Sequence, residues 1–405
     1  MKGGSKLDNI SNGPLKGIKV LDLTRVLAGP YATMILADLG AEVIKVEKPK
    51  IGDDSRQYGP FVNSESAYFM SINRNKHSIT LNLKKEEGRD IFFKLIKEVD
   101  VIVENFRPGT MKKLGLSYDT IKLVNPQIIY AAVSGFGHTG PYSERAAYDG
   151  IVQAMGGIMG ITGEKMGNPT RVGASIGDII AGMFCCTGIL AAYIDVQKTG
   201  RSQFVDVAML DSQVAILENA ITRYYDSGIA PGPNGNAHPS IYPFQTFPTR
   251  TEDLMIACGN DSLWKKLCKA INLEEVAEMS VFSSNYSRGQ NQEEMTKVLS
   301  ERLIDKPANV WIEILDQVGV PCSLINKIDK VIANPQIQAR NMIIEVEHSV
   351  SGKISMAGIP IKLEHMADHV RKAAPLLGES NKAIYGDVLG MKDKEIFALE
   401  EKDII

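Results

Sequence analysis

The chain has few cysteines, almost no net charge and no long apolar run. Its five cysteines are Cys185, Cys186, Cys258, Cys268 and Cys322, an odd number with no Cys-x-x-Cys spacing among them. That excludes a disulfide framework and a zinc-ligand pattern, and it fits a reducing, cytoplasmic setting. A formal net charge of −3 excludes the basic stripe of a nucleic-acid-binding surface. Any anionic ligand must therefore be met by local basic groups. No stretch reads as the roughly 18 apolar residues of a membrane span, so no membrane partner is expected. The opening MKGGSKLDNISNGPLKG is polar and Gly-rich and lacks the apolar core of a signal peptide. Internal repeats and low-complexity tracts are absent too.

What is present is an ordinary globular balance, 44% apolar and 23% charged over 405 residues, enough for about two domains. IKVLDL (18–23) and AEVIKVE (41–47) read as strands flanking the helical PYATMILADLG (30–40), with Pro30 in its first turn and Gly40 at its end. This βαβ unit predicts a parallel sheet. SITLNL (78–83), VIVEN (101–105), IIYAAVSG (128–135) and SQFVDVAML (202–210) continue the strands. Helices are predicted over 86–99, from about Asp178 to Gln197, and over 210–226. A stretch dense in Pro, Gly and Asn (227–250) marks a boundary or an active-site loop. Beyond it come a strand LMIACG, a helix DSLWKKLCKAI, further amphipathic helices, GVPCSLI, β-like ISMAGIPIKLE (354–364) and a terminal helix (392–404).

Several motifs carry competing readings. GFGHTG (135–140) matches G-x-G-x-x-G after a strand, but Pro141 follows and no acid stands about 20 residues on to meet a ribose, so a glycine-rich turn is preferred. GASIG (173–177) matches the nucleophile elbow around Ser175, yet its preceding MGNPTRV is loop-like where a strand is required. His365 and His369 lie one helical turn apart without the glutamate of a zinc protease, which reads as a solvated helical face and leaves no metal site. Cys185 and Cys186, inside an apolar helix, read as small hydrophobes. Asp178 opens the same helix, at or near its N-cap. A capping role is the plain reading. The same helix terminus would also keep a partly buried carboxylate ionised and nucleophilic. Lys45, Lys48, Arg74, Lys76, Lys84, Arg107, Lys112 and Lys113 recur at strand ends and turns, either as solvated surface or as a cradle for a multiply phosphorylated ligand.

From about residue 14 onward the chain resembles the class III CoA-transferases, the family of formyl-CoA transferase and carnitine CoA-transferase. The resemblance rests on LKGIKVLDLTRVLAGPYATMILADLGAEVIKVEKP, NRNKHSITLNLK, VENFRPGTMKKLGL, SGFGHTGPY, YDGIVQAMGG, the GASIGDIIAG block, TGRSQFVDVAM and APLLGES, in family order. It implies that Asp178 is the catalytic aspartate. It implies CoA contacts at Ala28, Lys48, Leu81, Lys84, Asn105, Phe106, Arg107 and Lys113, and that Tyr148 and Asp149 lie close to CoA and the aspartate. The implied fold is α/β: a Rossmann-like large domain (14–226 and 331–405), a smaller α+β domain (227–330), and an interlocked homodimer.

The implied reaction moves CoA from an acyl-CoA to a carboxylic acid through aspartyl anhydrides and an aspartyl-CoA thioester, without ATP, metal or permanently bound cofactor. The sequence departs from formyl-CoA transferase in two places. It has no matching glycine-rich loop, for which NGNAHPSIYPF (234–244) is the substitute, and Leu27 replaces a polar residue. The acids are short mono- or dicarboxylates, with succinyl-CoA or acetyl-CoA as donor. Arg145, Arg171 and His238 are candidate anchors for a second carboxylate. The α-methylacyl-CoA racemases share the resemblance, but they use a His–Asp pair where this chain has Tyr148 and Asp149. A serine esterase through Ser175 and a non-catalytic CoA-binding protein are the remaining rivals.

Overall fold

The computed structural model of the protein describes residues 13–366 and 372–405. The chain divides into two compact units. One comprises residues up to 158, 172–221 and 335–405; the other comprises 159–171 and 222–334.

The larger unit is built on six strands: β1 (Lys19–Asp22), β2 (Glu42–Glu47), β3 (Lys76–Thr80), β4 (Val101–Glu104), β5 (Ile129–Ser134) and β6 (Gln203–Ala208). All pair in parallel, in the order 3-2-1-4-5-6. That is the order of dinucleotide-binding folds, whose switch point lies between β1 and β4. Alternate residues face opposite ways along each strand. Val20, Val43, Val101 and Ile129 therefore join α1 (Ala28–Asp38) on one face. Leu21, Ile44, Ile102 and Tyr130 join α2 (Glu86–Glu98) on the other. Two more helices complete the first face near the strand ends, α3 (Asp149–Met155) and α4 (Ile176–Thr199). Where α1 crosses α4, a Cβ on Gly182 would meet the Ala28 carbonyl oxygen at 2.6 Å, so only glycine permits this approach.

The last stretch of chain returns to the second face. Ser380 N–H donates to the Ser78 carbonyl, Thr80 N–H to Asn381 Oδ1, and Tyr385 Oη–H to the Thr80 carbonyl at 2.6 Å. These bonds cover the otherwise open edge of β3. Ile384, Ile396 (on α5, Asp393–Glu401), Ile404 and Ile405 complete the core there.

The smaller unit carries an antiparallel sheet, Cys322–Leu324 beside Leu254–Ala257 beside Phe244–Phe247, over a core of Trp264, Phe282, Leu299 and Trp311. Arg288 is fully buried in it and donates to Asp261, at 2.6 Å, and to the carbonyls of Tyr242 and Phe282.

Four expectations change. The helix expected over 210–226 is two, Met209–Ala215 and Ala220–Ser227, parted at Glu218, whose φ is 54°. A hairpin, Ile343–His348 with Gly352–Ala357, takes in only the start of the β-like 354–364 segment. His365 sits in a turn rather than on a helix, and His369 lies outside the described residues. Finally, α4 is long and apolar enough to cross a membrane by composition alone. Its Ala181, Cys185 and Ile189 are instead buried against the sheet.

Candidate active site

The carboxyl ends of the strands deliver their loops to one edge of the larger unit, where ligands bind in open α/β sheets. The loop from β1 to α1 is held from several sides. Asn105, just past β4, accepts the Arg25 N–H at 2.8 Å through Oδ1 and donates to the Arg25 carbonyl at 2.7 Å through Nδ2. Val26 stands at φ 65°, a conformation that a β-branched residue adopts only under constraint. Its N–H donates to Asp53 Oδ1 at 3.1 Å. Asp53 is buried and pairs with buried Lys45 at 2.8 Å, whose ammonium also donates to the Thr24 carbonyl. Asp22 accepts from Thr24 and Thr33 and pairs with buried Lys76 at 3.1 Å. Burial pulls the Lys76 ammonium down to about 8, against the pull of Asp22.

Basic residues that looked available for a phosphate are therefore partly committed. Lys45 and Lys76 are interior ions, and Arg74 is buried against Asp38 at 2.7 Å. The sequence could not separate these from Lys48, Lys84 and Arg107, which are exposed.

Asp178 is the third residue of α4, not its cap; Ser175 holds the N-cap position and makes no side-chain cap bond. The Asp178 carboxylate is half-buried in the first turn of the helix, where unpaired amides favour negative charge. The turn is pinned by Asp149. One oxygen of Asp149 accepts the Gly177 N–H at 2.9 Å, and the other accepts Gln153 Nε2 at 2.8 Å. Gln153 in turn accepts the Val172 N–H at 2.9 Å, which secures the chain entering α4. A Cβ on Gly177 would lie 2.7 Å from Val152 Cγ2, so this docking also needs glycine.

Two cavities open here. The smaller, about 240 Å³, is lined by Ala28, Asn105, Phe106, Arg107, Tyr148 and Asp178, with Arg25, Arg145 and Met209 among its other walls. A larger one, about 690 Å³, has apolar walls from Leu23, Val46, Leu81, Leu114 and Phe106 and carries Lys48 and Lys84. Both are lined by Arg25 and Phe106, whose guanidinium and ring lie 5.3 Å apart. Nine of the eleven residues singled out from sequence thus line one cavity or both. Asp149 stands behind the wall as a support, and exposed Lys113 lines neither.

The rival motifs fare differently. The residues before Ser175 (162–175) contain no strand, so the elbow geometry is missing. GFGHTG leads from β5 into turns and opens no helix. Burial pushes the Cys186 thiol up to about 11 and that of Cys185 higher still, which leaves both inert. His238, in the smaller unit, stacks on Phe244 and accepts the Ser240 N–H at 3.0 Å. Sequence reading passed over Arg25, Asp53, Gln153 and Glu104. Only Asp53 carried any local signal, as an acid two residues before Ser55, whose N–H it caps at 2.9 Å.

Comparison with known proteins bears on this arrangement. The family model described as CoA-transferase family III matches residues 15–381. The chain is 40% identical to human succinyl-CoA:glutarate CoA-transferase over 99% of its length and 91% of that protein. It is 43% identical to acetyl-CoA:oxalate CoA-transferase of Acetobacter aceti, over 92% and 95% respectively. A crystal structure of a CaiB/BaiF family protein from Brucella suis superposes with a TM-score of 0.81 at 39% identity, covering 93% of this chain and all of that one. A strand order made for nucleotides and a match running through both units have one reading in common: this chain belongs to the family III CoA-transferases.

Proposed function

We propose that the protein transfers CoA from an acyl-CoA to a short dicarboxylic acid, with Asp178 as the nucleophile. The observation that carries this is the placement of Asp178: a half-buried carboxylate in the first turn of an apolar helix, on the wall of a cavity adjoining a lysine-bearing apolar cleft at the strand ends. The cleft suits the nucleotide of CoA. Leu81 and Phe106 would contact the adenine, while Lys48, Lys84 and Arg107 would meet phosphates. Ala28, Asn105 and Tyr148 would border the thioester end.

The Asp178 carboxylate attacks the thioester carbonyl, the C–S bond breaks, and CoA leaves as thiolate with an acyl-aspartyl anhydride behind it. The thiolate attacks the aspartyl carbonyl, releasing the donor acid and forming an aspartyl-CoA thioester. The acceptor carboxylate attacks that thioester and gives a second anhydride, from which thiolate takes the acceptor acyl group and frees Asp178. No net bond energy is lost, so ATP is not consumed. Backbone amides in the first turn of α1, at Ala28 and Gly29, have no intrahelical acceptor and would steady each oxyanion. Asp149 and Gln153 act as positioning residues.

The acceptor class follows from the relatives: glutarate and oxalate, named in the two proteins above, each bear two carboxylates. The working form is an interlocked homodimer. A single chain exposes Met183, Phe184 and Ile194 on α4 and Ile151 and Met155 on α3, large apolar groups that a second copy would cover. The five unbridged cysteines suit the cytoplasm.

The test mixes acetyl-CoA or succinyl-CoA with a panel of acids and records new acyl-CoA species by mass spectrometry. Protein quenched with donor alone should carry CoA on the Asp178 peptide. Asp178→Ala should lose at least about 10³-fold in rate while binding CoA normally. Undiminished transfer by that variant, or an adduct on another residue, refutes the mechanism.

A further inference from the structure

The wall around Asp178 holds three guanidinium groups, from Arg25, Arg107 and Arg145, and two of them have evident employment. Arg25 is paired with Asp54 at 2.8 Å and packs over Phe106. Arg107, directly after Phe106, is exposed and is the residue proposed above to meet a CoA phosphate. Arg145 differs. Its guanidinium lies 4.8 Å from the Tyr142 ring centre and 5.6 Å from that of Phe136. The two rings stand edge to face, 6.1 Å apart. Among the described residues no carboxylate pairs with it. Aromatic faces hold a guanidinium through its π surface and leave its in-plane N–H groups open to another acceptor. Those N–H groups form a fork that matches a carboxylate with two parallel bonds. Arg145 is exposed, so water meets those groups until an anion displaces it, and the two rings narrow the positions the charge can take.

The chemistry of the cavity supplies that anion. A dicarboxylic acid must bring one carboxylate to the reacting aspartyl group and leave the other nearby, in a space that already contains Asp178. Two negative groups there require a local cation that is not already neutralised. We infer that Arg145 reads the second carboxylate of the acid and is the residue that sets the preference for dicarboxylates. This rests on the transferase reading above. About 240 Å³ gives room for a short diacid and little more.

The experiment uses acetyl-CoA as donor, so that only the acceptor can carry a second carboxylate. Oxalate, succinate and glutarate are each compared with the monocarboxylate of equal carbon number: isotopically labelled acetate (transfer from acetyl-CoA to plain acetate leaves no new product), butyrate and valerate. With wild-type protein the diacid of the best pair should lead in kcat/KM. In Arg145→Gln that lead should collapse by on the order of 100-fold, the scale of a lost charge-assisted fork. The rate with the monoacid and the acetyl-CoA-dependent labelling of Asp178 should stay within about twofold, and the melting temperature within about 3 °C. Arg145→Lys, which keeps the charge and loses the fork, should fall between. An equal loss for diacid and monoacid overturns the inference, as does a wild type that shows no diacid preference. Neither result touches CoA transfer through Asp178, which fails if wild-type protein labels no Asp178 or moves CoA to no acid, although the second would remove the dicarboxylate as the proposed acceptor.

Discussion

Glu104 shows how one buried side chain ties pH to the site. It ends β4, almost wholly buried, with one oxygen accepting the Phe106 N–H at 2.7 Å and the other facing Tyr130 Oη at 3.3 Å. His138 Nε2 stands 3.9 Å away, and Asp206 adds a repelling charge. Burial raises the carboxyl to about 7, although the Phe106 amide works against it. An acid whose folded value lies above its unfolded value binds more protons folded than unfolded, so this group loses stability as pH rises between the ordinary 4.5 and about 7. Between pH 5 and pH 8 the wild type should therefore lose about 1–3 kcal/mol that Glu104→Gln does not. Urea unfolding of both proteins at the two pH values measures the difference. Parallel changes would mean that Glu104 is ionised throughout.

At the scale of elements, the β1–α1 loop depends on a charged interior. Val26 keeps its positive φ because Asp53 and Asn105 grip its neighbourhood, and Asp53 keeps its charge because Lys45 lies against it. Lys45→Met leaves buried Asp53 without its counter-ion and should cost about 3–5 kcal/mol, read as a lower denaturation midpoint. Lys45→Met with Asp53→Leu should recover part of that stability and still lose CoA binding, since the loop would lose its anchor. A double variant that bound CoA normally would contradict the anchoring role.

The same elements mark what sequence could and could not reveal. β1, α1, β2, α2 and β5 were legible because their apolar residues repeat with the period of one element and end on Gly, Pro or an acid. Lys45, Arg74 and Lys76 were not, because nothing local distinguishes a lysine at a strand end from one inside it with an aspartate from another loop. Asp178 was legible as a helix-opening acid, but its exact turn depended on Asp149, some 29 residues earlier, bonding Gly177. The edge of β3 is covered from about 300 positions away, beyond any local pattern.

For the molecule as a whole, the proposed interlocked homodimer makes a sharp prediction. Sedimentation should give twice 44.3 kDa. Chains threaded through one another cannot trade partners without unfolding. Two differently tagged preparations mixed under native conditions should therefore form no mixed dimers over days, and should form them after joint refolding. Rapid exchange would show an ordinary side-by-side dimer.

The large unit is also discontinuous, and this sets an order of manufacture. β3 leaves the ribosome early, yet Ser380, Asn381 and Tyr385, which close its edge, are made about 300 residues later. For most of synthesis the growing chain carries a sheet with one side open, in the state most prone to pair with a neighbour. A ribosome stalled before residue 380 would present that raw edge, while a chain whose residues 380–385 have emerged can cover it. The yield of folded protein should then depend on how long that edge waits as well as on the stability of the finished sheet.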